Sequence, residues 1–342
     1  MPDTSRNPIS QPERPRVEKP RVIVTRELAD SVHDRMSELF DVVPNLTDQA
    51  FSREDLIAAM SDCDVLVPTV TDQIDAEMIA TASDRLQLIA SFGAGVDHID
   101  LAAARARKIL VTNTPGVFTE DTADMTMALI LSVPRRLAEG EKLMRSGQWE
   151  GWKPSGMLGH CIGGKKLGIV GMGRIGQAVA RRASGFGLSI IYHNRRQLPP
   201  AVEESLNATY VDSIDDLIGT CDILTIHCPR TPETYGMINA DRIAKMKSST
   251  YIINTARGDL IDEDALIKAL EQEKIGGAGL DVYTKEPSVD QRLLDLKNVV
   301  LLPHMGSATF EGREASGERV IANIRVWADG HRPPDQVLED WI

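Results

Sequence analysis

The segment Leu167-Gly-Ile-Val-Gly-Met-Gly-Arg-Ile-Gly176 constrains this chain more than any other. It leaves an apolar, β-type run, passes three glycines in GxGxxG spacing (Gly171, Gly173, Gly176) and enters the helix-like stretch Gln177–Ala183. Each glycine answers a separate steric demand. Gly171 can make a tight turn, Gly173 has no Cβ to keep an anion from the backbone, and Gly176 lets helix and strand pack closely. Arg174 and Ile175 complete the motif at the helix N-terminus, where free N–H groups and partial positive charge favour a pyrophosphate. A glycine turn alone is weak; between a strand and a helix it predicts a dinucleotide site on an open parallel sheet.

Strands alternate with helices on both sides of that motif. Val22–Val24, Val65–Val67, Leu86–Ala90 and Ile109–Val111 read as strands, with helical patterns such as Arg53–Met60 and Leu101–Arg107 between them. A second series runs through Leu167–Val170, Ser189–Tyr192, Ile223–Ile226, Tyr251–Ile253, Gly277–Leu280 and Val299–Leu302. The pattern predicts two α/β units, each a doubly wound parallel sheet. A helix from about Thr119 to Met144, interrupted near Pro134, and a Trp/Gly-rich loop separate the two series, and a helix from Phe310 to Ala328 closes the chain. Residues 1–20, rich in proline, serine and charge, read as a disordered tail and not as a secretory signal.

Composition narrows the function classes. Lys plus Arg less Asp plus Glu is 38 − 50 = −12, which argues against binding a nucleic-acid backbone. No apolar run approaches the roughly 20 residues of a membrane-spanning helix. Cys63, Cys161, Cys221 and Cys228 show no CxxC spacing, so neither a zinc site nor a disulfide framework is expected, and a reducing, cytoplasmic setting is. Asp97-His98-Ile-Asp100 contains metal-ligand residue types but sits at a helix start, where aspartate caps; no metal is expected there.

The strand after the glycine loop ends at Asn194, 18 residues beyond Gly176, followed by Arg195 and Arg196. An NAD-selective site usually carries a carboxylate about 20 residues past the glycines, to bind the ribose 2′-hydroxyl. None is here, and two guanidiniums could hold a 2′-phosphate bidentately. NADP(H) is therefore the expected preference over NAD, without exclusivity. The alternative is a solvated basic turn.

Three later strands each lead into a residue with chemistry: Arg257, Glu286 and His304. Singly, these could be a surface ion-pair partner, a solvated loop charge and a core histidine. Together, at the carboxyl ends of strands where open α/β sheets bind ligands, they suit a 2-oxo acid. Arginine clamps carboxylate and carbonyl, histidine delivers a proton as hydride arrives, and a carboxylate fixes the imidazolium.

With these motifs the chain, from about Arg21 onward, resembles the D-2-hydroxyacid dehydrogenase family. The resemblance rests on Gly171-Met-Gly-Arg-Ile-Gly176, Asn254-Thr-Ala-Arg-Gly258, Gly279-Leu-Asp-Val282 with Glu286-Pro287, and Pro303-His-Met-Gly-Ser307. The Asn194-Arg-Arg turn and the Trp149-Glu-Gly-Trp152 loop are similar to its glyoxylate reductase/hydroxypyruvate reductase branch. The resemblance implies a Rossmann cofactor domain (116–308) inserted into a flavodoxin-like substrate domain (21–115 with 309–342), and a homodimer. It implies Arg257, Glu286 and His304 as the catalytic set, and backbone N–H groups at Ala94 and Gly95 for the substrate carboxylate. Cofactor contacts would also come from Thr122, Cys228, Pro229, Thr255, Ala256 and Asp281. Trp152 would reach a partner's active site and narrow it. The implied activity is NADPH-preferring reduction of small 2-oxo acids, glyoxylate and hydroxypyruvate foremost. A dehydrogenase of this family with a larger substrate, and a dinucleotide-sensing corepressor-like protein, are the alternatives.

Overall fold

Short β-branched runs set the frame. In the first part of the chain they form β1 (Arg21–Val24), β2 (Asp41–Val43), β3 (Val65–Val67), β4 (Leu88–Ala90) and β5 (Leu110–Thr112). All pair in parallel, in the order β2-β1-β3-β4-β5, the flavodoxin-like winding. β3 and β4 are buried at every residue, so their sequences are continuous apolar runs, not alternations. Helix starts are written in side chains. Ser52 and Asp55 make a reciprocal capping box, and Asp75 and Asp100 each accept an N–H from the first turn of their helices.

The second series gives β6 (Lys166–Val170), β7 (Ser189–His193), β8 (Ala208–Tyr210), β9 (Ile223–Ile226), β10 (Tyr251–Asn254), β11 (Gly277–Leu280) and β12 (Val299–Leu301). This sheet is also wholly parallel, ordered β12-β11-β10-β9-β6-β7-β8. Counted from β6 that is the Rossmann order with one extra edge strand. The winding reverses between β6 and β9, and the crevice at their carboxyl ends is where such sheets bind ligands. The sequence pattern missed β2 and β8. Both are three-residue edge strands without a fully buried residue, so neither has a hydrophobic run to announce it.

The computed structural model describes residues 16–338. Among these, residues 16–117 with 310–338 form one unit and 118–309 the other. The crossings fall at Val117/Phe118 and Thr309/Phe310, two residues and one residue past the boundaries expected from the sequence. The closing helix Phe310–Ala328 belongs to the first unit. A Cβ on Gly317 would lie 2.4 Å from Val32, so the absence of a side chain lets this helix sit against Asp30–Leu39. The segment beyond it covers the free edge of β5, with Val337 N–H donating to Val111 O at 2.9 Å. The expected disordered tail needs correction at its end. Val17 N–H donates to Ala328 O at 2.9 Å and Asp41 N–H to Pro20 O at 3.0 Å, so residues 16–20 are already tied into the unit. The expectation for residues 1–15 lies outside the described residues. The long helix after Thr119 is two helices, Thr119–Ser132 and Leu137–Arg145, broken around Pro134 with Arg136 at φ 55°. No helix among the described residues is long and apolar enough to cross a membrane.

Candidate active site

The three motif glycines sit as their spacing requires. Gly171 turns at φ +96°, and a Cβ there would lie 2.5 Å from Cys228 N, so this turn is pressed against the end of β9. A Cβ on Gly176 would lie 2.3 Å from Gly171 O. Gly173 is different: nothing lies within 4 Å of its Cβ direction. It caps the helix Arg174–Gly185 with no side-chain hydrogen bond, leaving the N–H groups of the first turn for a ligand. An open approach to uncapped N–H groups is what a dinucleotide pyrophosphate needs, so the residues present fit such a cofactor. Cys228 is half-buried against this turn; burial pushes its thiol up to about 11, and it stays neutral. Pro229 beside it is exposed.

After β7, Asn194 Oδ1 accepts the Met172 N–H at 2.7 Å, tying this turn to the glycine loop. Arg195 and Arg196 are exposed and make no ion pair among the described residues. The carboxylate-free turn of the sequence is thus also free of direct ion pairs, with Glu233 the one acidic residue found to feel the charge of Arg195.

The catalytic candidates meet at the carboxyl ends of β10, β11 and β12. Glu286 Oε2 lies 2.7 Å from His304 Nδ1, and Glu286 Oε1 accepts the Tyr283 N–H at 3.0 Å. Burial pushes the Glu286 carboxyl up. The His304 hydrogen bond and charge, the Tyr283 N–H and the charge of Arg257 outweigh it, and the net shift is below the ordinary value of 4.5. Glu286 is therefore ionised and felt by Arg257. The side chains of His304 and Glu286 are about one-third exposed (31% and 33%), which rules out a sealed core pair. With Nδ1 committed to the carboxylate, Nε2 is the ring nitrogen of His304 left to exchange a proton with a ligand.

Neighbouring residues explain the placement. His304 has φ +53°, a left-handed conformation that costs a non-glycine residue of order 1–3 kcal/mol. Asp281 holds it there: its two oxygens accept the Met305 and Gly306 N–H groups at 2.8 and 2.7 Å. Asp281 is 1% exposed and burial raises its pKa, so its observed work is to fix the His304 loop. Gly258 brings Arg257 to the site, since a Cβ there would fall 1.9 Å from Tyr283 C. The Arg257 loop is closed by Asn254, which donates to Arg257 O at 2.7 Å and accepts the Ala256 N–H at 3.0 Å. Thr255 Oγ1 lies 2.9 Å from Thr126 Oγ1, and Thr126 donates to Thr122 O at 2.7 Å, joining this loop to the helix Thr119–Ser132. Thr122 in turn would lie 3.7 Å from a Cβ on Gly306.

Sequence reasoning missed Tyr283, whose hydroxyl donates to Leu302 O at 2.9 Å and anchors the Glu286 loop just past the end of β12. A tyrosine two residues after Asp281 carried no motif signal. Asn254 and Gly258 lay inside a quoted motif, but their roles needed coordinates.

In the first unit, Asn113 Nδ2 donates to Ala94 O at 2.6 Å and shapes the turn after β4. The Ala94 and Gly95 N–H groups find no acceptor among the described residues. Asp100 caps its helix through the Ala103 N–H at 2.8 Å. No cluster among the described residues could hold a metal ion. Trp152 is 82% exposed on the loop after Leu137–Arg145.

Comparison with known proteins gives the family of the chain. Residues 127–306 match the family described as D-isomer specific 2-hydroxyacid dehydrogenase, NAD binding domain. The chain is 44% identical to a glyoxylate reductase of Thermococcus litoralis, over 94% of this chain and 98% of that protein. A glyoxylate reductase from Paecilomyes thermophila superposes with a TM-score of 0.84 at 34% identity, covering 94% of this chain and 99% of that one. An NADPH-dependent glyoxylate/hydroxypyruvate reductase from Sinorhizobium meliloti, in complex with NADP and malonate, does so with a TM-score of 0.83 at 34% identity, covering 94% and 97%. With its two parallel-sheet units and its Rossmann glycine loop, this chain belongs to the D-isomer specific 2-hydroxyacid dehydrogenase family and is an NAD(P)-dependent dehydrogenase.

Proposed function

We propose that the protein reduces small 2-oxo acids, glyoxylate to glycolate and hydroxypyruvate to D-glycerate foremost, with NADPH preferred over NADH. The observation that carries the reaction is the 2.7 Å contact between His304 Nδ1 and an ionised Glu286 within electrostatic reach of Arg257. The exposed Arg195 and Arg196, in no direct ion pair among the described residues, support the cofactor preference. So do the names of the relatives, which include an NADPH-dependent reductase.

When bound, a reduced nicotinamide supplies hydride to the substrate carbonyl carbon. Arg257 orients the carboxylate and carbonyl through its fork of donors. The Ala94 and Gly95 N–H groups add further donors for the carboxylate. His304, as the imidazolium that Glu286 stabilises, delivers its Nε2 proton to the carbonyl oxygen, and Glu286 then fixes the Nδ1–H tautomer of the neutral ring. Gly173 and the first turn of its helix would hold the pyrophosphate, with the remaining contacts expected from Thr122, Cys228, Pro229, Thr255, Ala256 and Asp281. The protein works in the cytoplasm as a homodimer. Supporting the dimer, Leu137, Met144, Trp149 and Trp152 are all exposed apolar groups on one helix and the loop after it.

Following NADPH absorbance with glyoxylate tests the reading. His304→Ala should cut kcat about 10²–10⁴-fold while leaving the cofactor Kd unchanged, and Arg257→Ala should raise KM and lower kcat. Near-normal turnover in both variants refutes the assignment. Wild-type protein that binds NADPH yet turns over no 2-oxo acid would favour the corepressor-like alternative.

A further inference from the structure

The turn after β7 is held far more tightly than a solvated basic loop requires. At its near end, Asn194 Oδ1 takes the Met172 N–H at 2.7 Å, and the Tyr210 hydroxyl lies 3.2 Å from Asn194 O. At its far end, the Leu198 N–H donates to the Tyr192 hydroxyl at 2.9 Å. That hydroxyl donates in turn to Glu203 Oε1 at 2.6 Å. Gln197 Nε2 donates to both Glu203 oxygens, at 3.0 and 3.1 Å. Tyr192 and Tyr210 are register partners on β7 and β8, with ring centroids 5.4 Å apart. Tyr192 is wholly buried, and burial followed by Glu203 pushes its phenol up to about 12, so it keeps its proton and can donate. Between these ties Arg195 and Arg196 are exposed and without ion pairs among the described residues.

Glu203 is the informative member. Its carboxylate touches Gln197, the residue directly after Arg196, yet makes no ion pair with either arginine among the described residues. Its Oε1 accepts from both Tyr192 and Gln197, and its Oε2 from Gln197. We propose that Tyr192 and Glu203 are positioning residues for cofactor selection. The Tyr192 hydroxyl keeps a nearby carboxylate engaged and the turn fixed, so that both guanidiniums stay available to a ribose 2′-phosphate. Without it, Glu203 is held only through Gln197, the residue after Arg196, and can turn to compete with the phosphate for the same donors. This inference rests on the proposed preference for NADPH.

Calorimetric titration of the full-length protein with NADPH and NADH, without substrate, separates the possibilities. Wild type should bind NADPH more tightly. Tyr192→Phe should weaken NADPH about tenfold, as when one charge-assisted hydrogen bond is given up, and change NADH little. Tyr192→Phe with Glu203→Gln should recover most of that loss, because the competing charge is gone. Gln197→Ala, an exposed change that spares the buried tyrosine, should shift the ratio in the same direction by less. A wild type without NADPH preference overturns both the cofactor reading and this inference. A wild type that prefers NADPH, with the ratio of the two Kd values unchanged in Tyr192→Phe and Gln197→Ala, overturns this inference alone. Failure of the double variant to recover NADPH affinity overturns the role given to Glu203.

Discussion

Alanine at each motif glycine should separate binding from folding. At Gly173 the added methyl enters open space. Its stability cost is the difference between two N-cap residues, about 1 kcal/mol. Loss of unfolded-state freedom offsets this by about 0.4–1 kcal/mol. The net change should be within about 0.5 kcal/mol. The same methyl occupies the approach to the helix N-terminus, where a charge-assisted hydrogen bond is worth about 1.5–3 kcal/mol. Cofactor Kd should therefore rise about ten- to hundredfold. At Gly176 the methyl would lie 2.3 Å from Gly171 O, a backbone atom that cannot step aside. Overpacking of this kind costs about 1–3 kcal/mol or more. At Gly171 a left-handed turn adds conformational strain to a 2.5 Å clash with Cys228 N. Urea unfolding and calorimetric titration with NADPH would be run on all three variants. Gly173→Ala should unfold like wild type but bind poorly, while the other two should lose stability. If Gly173→Ala binds like wild type, or is as destabilised as Gly176→Ala, the steric division of labour is wrong.

Two further outcomes can be stated. Glu286 is held below its ordinary 4.5 in the folded protein, so its contribution to stability is present above that value and lost as pH falls through the lowered one. The stability difference between wild type and Glu286→Gln should stay constant above about pH 5 and shrink in acid; a difference that grows on acidification would contradict the geometry. Trp152→Ala removes an indole that is 82% exposed. If Trp152 serves a partner's active site, discrimination between glyoxylate and longer 2-oxo acids should relax while stability stays within about 0.5 kcal/mol; unchanged substrate preference and rate would remove that role.

The architecture was legible because parallel strands buried on both faces must be apolar throughout. β3, β4, β9 and β10 announced themselves in this way. β2 and β8 did not, since an edge strand needs only partners on one side and three residues of length. The glycine loop was legible down to individual positions, because the demand on each glycine is steric and local. The Arg257, Glu286 and His304 loops were legible as three motifs but not as a constellation. Their convergence depends on contacts such as Gly258 against Tyr283 and Asp281 against Met305 and Gly306, which no spacing rule encodes. The frame around Arg195 and Arg196 was invisible for a similar reason. Tyr192 and Tyr210 look like ordinary strand residues, and Glu203 like any acidic residue in a first helical turn.

The helix Phe310–Ala328, seated on residues from the other end of the chain, has a consequence for biosynthesis. Chain leaves the ribosome from the N-terminus, so the first five strands emerge long before the helix against which Val32 packs. The continuous stretch 118–309 has all its strands once β12 ends at Leu301, just before that helix begins. Vectorial synthesis therefore favours closing the inserted unit before the surrounding one is finished. A chain stopped before Phe310 should yield a protease-resistant fragment from the inserted unit and none from the unfinished one.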